Sequence, residues 1–224
     1  MSVRRGWFRH NRNAARKALE VAPTDVNLQH VDSRDGGRVA VTLLPGGEPA
    51  VILCHGRVYD RESFLPFGEE LQAAGYTVAV LDFRGYGTSL AGSAGDDAKE
   101  LDVLATAEFL QRSGHSRVVP LGASMGGGAV LRAVAARRDL FTAMVTLSTV
   151  AVDLDLAAAW GNLPKLFVVS RDEPMHDQTA AMFEAAAEPR RLFELPGSLH
   201  AQQILQGPDA ASLQQAVTDF LASL

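Results

Sequence analysis

Gly122-Ala123-Ser124-Met125-Gly126 sits between the short apolar run Arg117–Leu121 and an alanine-rich segment, Gly127–Arg137, that reads as a helix. A serine with glycine two residues away on either side, at a junction of strand and helix, is the signature of a nucleophile elbow. The turn is tight enough to force Ser124 into a strained backbone conformation. Side chains at positions 122 and 126 would then strike the neighbouring strand or helix, so both must be glycine. That strain holds a hydroxyl clear of the backbone at a helix N-terminus, where developing negative charge is stabilised. The duller reading of Ser124 is a helix N-cap after a glycine turn.

A chain of 224 residues suits one α/β domain with a sizeable core. Its hydrophobic content of 47% and charged content of 21% are those of a globular protein. The one cysteine, Cys54, excludes an intrachain disulfide and a cysteine-based zinc site. No apolar stretch reaches the roughly eighteen residues of a membrane span and no signal-peptide core is present, so a cytoplasmic location is the expectation. The net charge of −5 hides an asymmetry, because residues 1–20 carry +5 and the remaining 204 carry −10. An acidic body argues against general nucleic-acid binding. Residues 1–23 read as a basic N-terminal extension, a surface helix, transit peptide or solvated segment, with only Trp7 and Phe8 as large apolar groups before Leu19.

Beyond Pro23 the chain alternates. Val26–Asp32 and Arg38–Leu44, joined by Ser33-Arg34-Asp35-Gly36-Gly37, read as an antiparallel hairpin. Ala50–Cys54 is a near-continuous apolar run, as in a strand covered on both faces. Strands then follow at Tyr76–Asp82, Arg117–Leu121, Thr142–Ser148, Lys165–Ser170 and Arg190–Leu195. Helices are expected at Glu62–Ala74, Asp96–Arg112, Ser124–Arg137, Asp153–Trp160, Gln178–Ala187 and Asp209–Leu221. The pattern predicts an α/β fold over residues 24–224: a doubly wound, mostly parallel sheet of about eight strands, opened by an antiparallel hairpin and covered by helices on both faces.

With this layout the chain resembles the α/β-hydrolase family from about residue 24 onward. Four stretches beside the elbow carry the resemblance: His55-Gly56-Arg57 after the third strand, Asp82-Phe83-Arg84-Gly85-Tyr86-Gly87-Thr88-Ser89 after the fourth, Ser170-Arg171-Asp172-Glu173-Pro174, and Gly197-Ser198-Leu199-His200. Serine, acid and histidine follow in the order expected of that fold. A serine hydroxyl is a poor nucleophile at neutral pH, so an imidazole must take its proton, and His200 leaves the last strand at the right place. A carboxylate from the preceding loop would fix the imidazole tautomer and stabilise the imidazolium. His176 is the other candidate base.

The acid departs from the family pattern. Glu173 stands where an aspartate is usual and Asp172 lies one residue earlier, so both remain candidates, with Glu173 favoured and Asp177 a distant third. The resemblance assigns the oxyanion donors to the N–H groups of Met125 and Arg57. It reads His55, Asp82 and Arg84 as bracing groups, while Cys54, at the end of an apolar strand, reads as core. Only Thr149–Pro164 separates the sixth and seventh strands, too little for a cap domain. The expected site is therefore open and rimmed by Tyr59, Tyr86 and Trp160, with Phe64, Met125, Met175 and Leu199 beside them, aromatics and methionines that read equally well as plain core. The implied activity is hydrolysis of small carboxylic esters or thioesters by acyl-serine chemistry, with no metal or organic cofactor. Peptide or amide cleavage on the same fold, or a non-catalytic scaffold acting as a binding module, are the alternatives.

Overall fold

The computed structural model describes residues 27–224, so the basic segment at positions 1–23 lies outside the described residues. Eight strands form one sheet: β1 (Leu28–Asp32), β2 (Arg38–Leu44), β3 (Gly47–Cys54), β4 (Tyr76–Leu81), β5 (Val118–Ala123), β6 (Met144–Leu147), β7 (Lys165–Ser170) and β8 (Arg190–Leu195). Their spatial order is β1-β2-β4-β3-β5-β6-β7-β8. β1 pairs antiparallel with β2, and β2 antiparallel with β4. Every other pairing is parallel. The expected hairpin turns at Gly36, whose φ of 83° suits a residue without a Cβ.

Because the central strands are covered on both faces, their side chains alternate between two apolar layers rather than between core and water. Ile52, Cys54, Ala79 and Leu81 face a layer built with α2 (Glu100–Arg112), α3 (Met125–Ala136), α4 (Ala157–Trp160) and α5 (His176–Ala185). Val51, Leu53, Val78 and Val80 face α1 (Leu65–Ala73) and α6 (Ala210–Ala222). No described helix is long and apolar enough to cross a membrane.

Several element ends differ from the sequence reading for local reasons. The helix expected from Glu62 begins as a 3₁₀ turn, Arg61–Phe64, capped by Asp60 accepting the Ser63 N–H at 3.3 Å. The α-helix proper starts at Leu65, with Pro66 in its first turn where a missing N–H costs nothing. The helix expected from Asp96 starts at Glu100. Between β6 and β7 lie only a 3₁₀ turn, Leu154–Leu156, and the one-turn α4, so no cap domain covers the sheet there. Strand β5 runs on through Gly122 and Ala123, which places Ser124 immediately beyond its last residue. The C-terminal edge of the parallel strands thus gathers the segments following β3, β5, β6, β7 and β8, the usual place for a site in an open α/β sheet.

Candidate active site

Ser124 turns the chain from β5 into α3 with φ 51° and ψ −111°, a conformation that costs a non-glycine residue about 1–3 kcal/mol. Its N–H donates to the Leu147 carbonyl at 2.8 Å, and its carbonyl accepts from Gly128 at 3.1 Å, so the turn is pinned on both sides. Both glycines of the motif are sterically required. A Cβ at 122 would collide with the Gly126 carbonyl, and one at 126 with the Cys54 carbonyl of the adjacent strand.

The hydroxyl so presented meets an imidazole. Ser124 Oγ lies 2.9 Å from His200 Nε2, and His200 Nδ1 lies 2.5 Å from Glu173 Oε2. The Glu173 side chain has no exposed surface, whereas that of His200 is about one-third exposed. Glu173 Oε1 accepts the Ser170 N–H at 3.1 Å and the Ser148 hydroxyl. These donors leave Oε2 as acceptor for the Nδ1 proton, so Nε2 has a free lone pair toward Ser124. The geometry therefore holds a hydroxyl, an imidazole and a carboxyl group in a line along which a proton can pass.

The other acid and base candidates lie elsewhere. Asp172 is exposed, with its N–H donating to Gly197 O at 2.9 Å. His176 is engaged by Glu194 at 2.8 Å and by Asp177 at 3.1 Å, and these two carboxylates raise it above the usual imidazole range.

The loop after β3 packs directly on the elbow, since a Cβ at Gly56 would stand 3.6 Å from Ser124 Cβ. Most polar groups of this loop are already engaged. Gly56 O accepts from the Tyr59 N–H at 3.1 Å and from His55 Nδ1 at 2.9 Å. The Gly56 N–H donates to Gln202 Oε1 at 2.6 Å, and Arg57 O accepts the Tyr86 hydroxyl at 2.9 Å. Among the described residues, the N–H groups of Arg57 and Met125 have no protein acceptor. His55 is fully buried and takes the Phe83 N–H on Nε2 at 3.2 Å, an arrangement that requires a neutral ring. Burial lowers its pKa in the same sense. Cys54 is buried too, and desolvation pushes its thiol far above the usual range.

Of the rim residues, Tyr59 and Tyr86 are half-buried, with the Tyr86 hydroxyl also 3.8 Å from Met125 Sδ. Arg57 is exposed and Val58 is 86% exposed at the same mouth. Trp160 requires a correction. Its indole is fully buried, donates to the Leu131 carbonyl at 3.0 Å and packs on Phe167 with centroids 6.4 Å apart, so it belongs to the core and cannot touch a substrate. α4 is a single turn and brings its aromatic down onto the sheet instead of out over it. Phe64 is likewise fully buried.

Two residues that the sequence did not single out, and one at the head of the acid stretch, help to build the site. Ser148 and Gln202 make the contacts given above, and Ser170 Oγ donates to Leu199 O at 2.7 Å beside His200. No local signal marks them, because a serine at a strand end and a glutamine in a short turn carry no periodicity. Among the described residues no three His, Cys, Asp or Glu side chains are grouped to hold a metal ion.

The family model for the alpha/beta hydrolase fold matches residues 49–183, well over half of the chain. An uncharacterized protein of Mycobacterium tuberculosis, Rv2307c, is 29% identical over 222 residues, covering 85% of this chain and 77% of that protein. Among solved structures, the alpha/beta hydrolase GrgF of Penicillium sp. sh18 superposes with a TM-score of 0.76 at 16% identity, covering 87% of this chain and 96% of GrgF. The esterase RhEst1 of Rhodococcus sp. ECU1013 superposes at 0.71 and 17% identity, covering 89% and 100%. The esterase EaEST of Exiguobacterium antarcticum does so at 0.71 and 14%, covering 87% and 99%. The chain belongs to the alpha/beta hydrolase fold family.

Proposed function

We propose that this member of the alpha/beta hydrolase fold family is a serine hydrolase that cleaves small carboxylic esters or thioesters through an acyl-serine intermediate. The observation that carries the reading is the unbroken hydrogen-bonded line from Ser124 Oγ through His200 to the buried Glu173.

In this reading Ser124 attacks the acyl carbon while His200 Nε2 removes its proton. The positive charge that forms on the ring is stabilised by Glu173, which also holds the tautomer. The oxyanion is received by the N–H groups of Met125 and Arg57, and losing one such donor typically costs about 3–4 kcal/mol of transition-state stabilisation. His200 then returns its proton to the leaving alcohol or thiol. Water attacks the acyl-enzyme by the same relay in reverse. The open mouth at Tyr59 and Tyr86, with no cap domain between β6 and β7, suits acyl groups of modest size, and the esterase neighbours support an ester as the bond cleaved.

A fluorophosphonate probe tests the reading directly, because it reacts with an activated serine and needs no knowledge of the substrate. The native protein should be labelled at Ser124 alone, and Ser124→Ala should lose both labelling and p-nitrophenyl acetate turnover while keeping its thermal stability. A native protein that stays unlabelled, or a variant that still turns over the ester, overturns it.

A further inference from the structure

Ser148 is the first residue after β6, and the mechanism just given does not use it. It is fully buried and sits at φ 47°, in the left-handed region that serine seldom occupies. Its Oγ accepts the Ala201 N–H at 2.9 Å, and Ala201 itself stands at φ 51°. A hydroxyl has one proton to give. Here it goes to Glu173 Oε1, the oxygen that His200 does not use. One small side chain therefore grips the acid with its proton and the histidine loop with its lone pair. Two residues held at positive φ on either side of that bridge indicate that the surroundings enforce it.

The arrangement also accounts for how the long side chain of a glutamate is held at this position. Its extra methylene over aspartate gives Glu173 a further torsion and hence more ways to miss His200. The Ser170 N–H and the Ser148 hydroxyl converge on Oε1 and remove that freedom. We propose that Ser148 is a positioning residue of the site, fixing the carboxylate of Glu173 and the backbone of the histidine loop in one register so that Oε2 meets His200 Nδ1. This inference rests on the reading of Ser124, His200 and Glu173 as a working relay.

Two variants keep the test independent of folding. Ser148→Ala removes the hydroxyl alone, and Ser148→Gly removes it while relaxing the positive φ, so a backbone penalty cannot be the cause of a shared defect. The His200 Nδ1 proton, followed by NMR in the full chain, should give a slowly exchanging downfield signal in the native protein that both variants weaken or lose. With p-nitrophenyl acetate, kcat should fall by about ten- to a hundredfold, the range of one hydrogen bond to a charged group, with KM nearly unchanged. In a Glu173→Gln background, Ser148→Ala should add less than about a further twofold loss, because its path of action is already cut.

An unchanged Nδ1 signal in both variants overturns the inference, as does an equal loss from Ser148→Ala with and without Glu173→Gln. If the native protein proves inert to esters and probe, the hydrolase reading falls by itself. The loss of the Nδ1 signal in the variants would still uphold the grip of Ser148 on the pair.

Discussion

Glu173 Oε2 lies 2.5 Å from His200 Nδ1, while the neighbouring carboxylate of Asp172 is turned out to solvent. The two acids are adjacent in sequence, yet the turn after β7 sends one under the histidine and the other away from it. Which carboxylate meets the imidazole is thus decided by the direction in which each leaves that turn.

Glu173→Gln keeps the size of the acid, removes its charge and puts an amide donor in place of one acceptor oxygen. Turnover should fall by several powers of ten, as an aspartate-to-asparagine change in a serine-protease triad lowers it about ten-thousand-fold. Asp172→Asn should stay within about threefold of the native rate, since exposed substitutions away from a site change little. Both are read against one activated ester. A crippled Asp172→Asn beside a near-native Glu173→Gln would reverse the assignment.

Much of this was legible in the sequence, and the reason is range. The elbow is a five-residue pattern in which Gly122 answers a collision within the turn and Gly126 one with the strand beside it, so its spacing reports the turn even though one of its causes is distant in sequence. The strands Tyr76–Leu81 and Lys165–Ser170 are near-continuous apolar runs because both of their faces are covered, which is why they stood out. The burial of Trp160 is not legible, because an aromatic near a sheet edge reads the same whether its helix turns it inward or outward. Ser148, Gln202 and the choice between Glu173 and Asp172 depend on contacts between segments far apart in the chain. The Gly56–Gln202 bond, for example, spans 146 positions, and no local pattern encodes it.

That bond carries its own prediction. Gln202 is buried, takes the Gly56 N–H on Oε1 and gives Nε2 to Ser63 Oγ at 2.6 Å, so it fixes the loop whose next N–H belongs to Arg57. Gln202→Leu should let that loop tilt and lower kcat by about tenfold or more with little change in KM, since oxyanion contacts act in the transition state. Steady-state kinetics on p-nitrophenyl acetate decide it, and a change confined to KM would sink the idea.

Arg84 bears on stability, because its charge is buried against two carboxylates. Its guanidinium is fully buried, donating from Nε to Asp102 at 2.9 Å and from Nη1 to Asp35 at 2.8 Å and Gly95 O at 3.1 Å. Arg84→Met would leave the wholly buried Asp102 without its counter-charge, so unfolding in urea should show a loss of about 3–5 kcal/mol. Adding Asp102→Leu should return part of it, because the more deeply buried of the two orphaned carboxylates is then gone while Asp35 stays unpaired. No recovery in the double variant would place the cost in Asp35 and lost packing instead.

Two histidines should give the stability opposite pH dependences. Burial lowers the folded-state pKa of His55, and the Phe83 N–H occupies its free lone pair. The unfolded chain therefore binds a proton there more readily. The His55 contribution is complete above the unfolded value of about 6.5 and is lost as pH falls from there through the depressed folded value. His176 is raised by Glu194 and then Asp177, so its contribution is complete below the unfolded value and is lost as pH rises through the elevated folded one. Between pH 5.5 and 7.5 the two oppose each other in the native protein. His176→Gln should steepen the fall in melting temperature toward acid by removing the acid-favouring partner. His55→Gln, whose melting temperature will be lower throughout, should flatten or invert that slope. Thermal melts of the three proteins at the two pH values supply the comparison. Parallel slopes in all three would mean that neither ring titrates differently on folding.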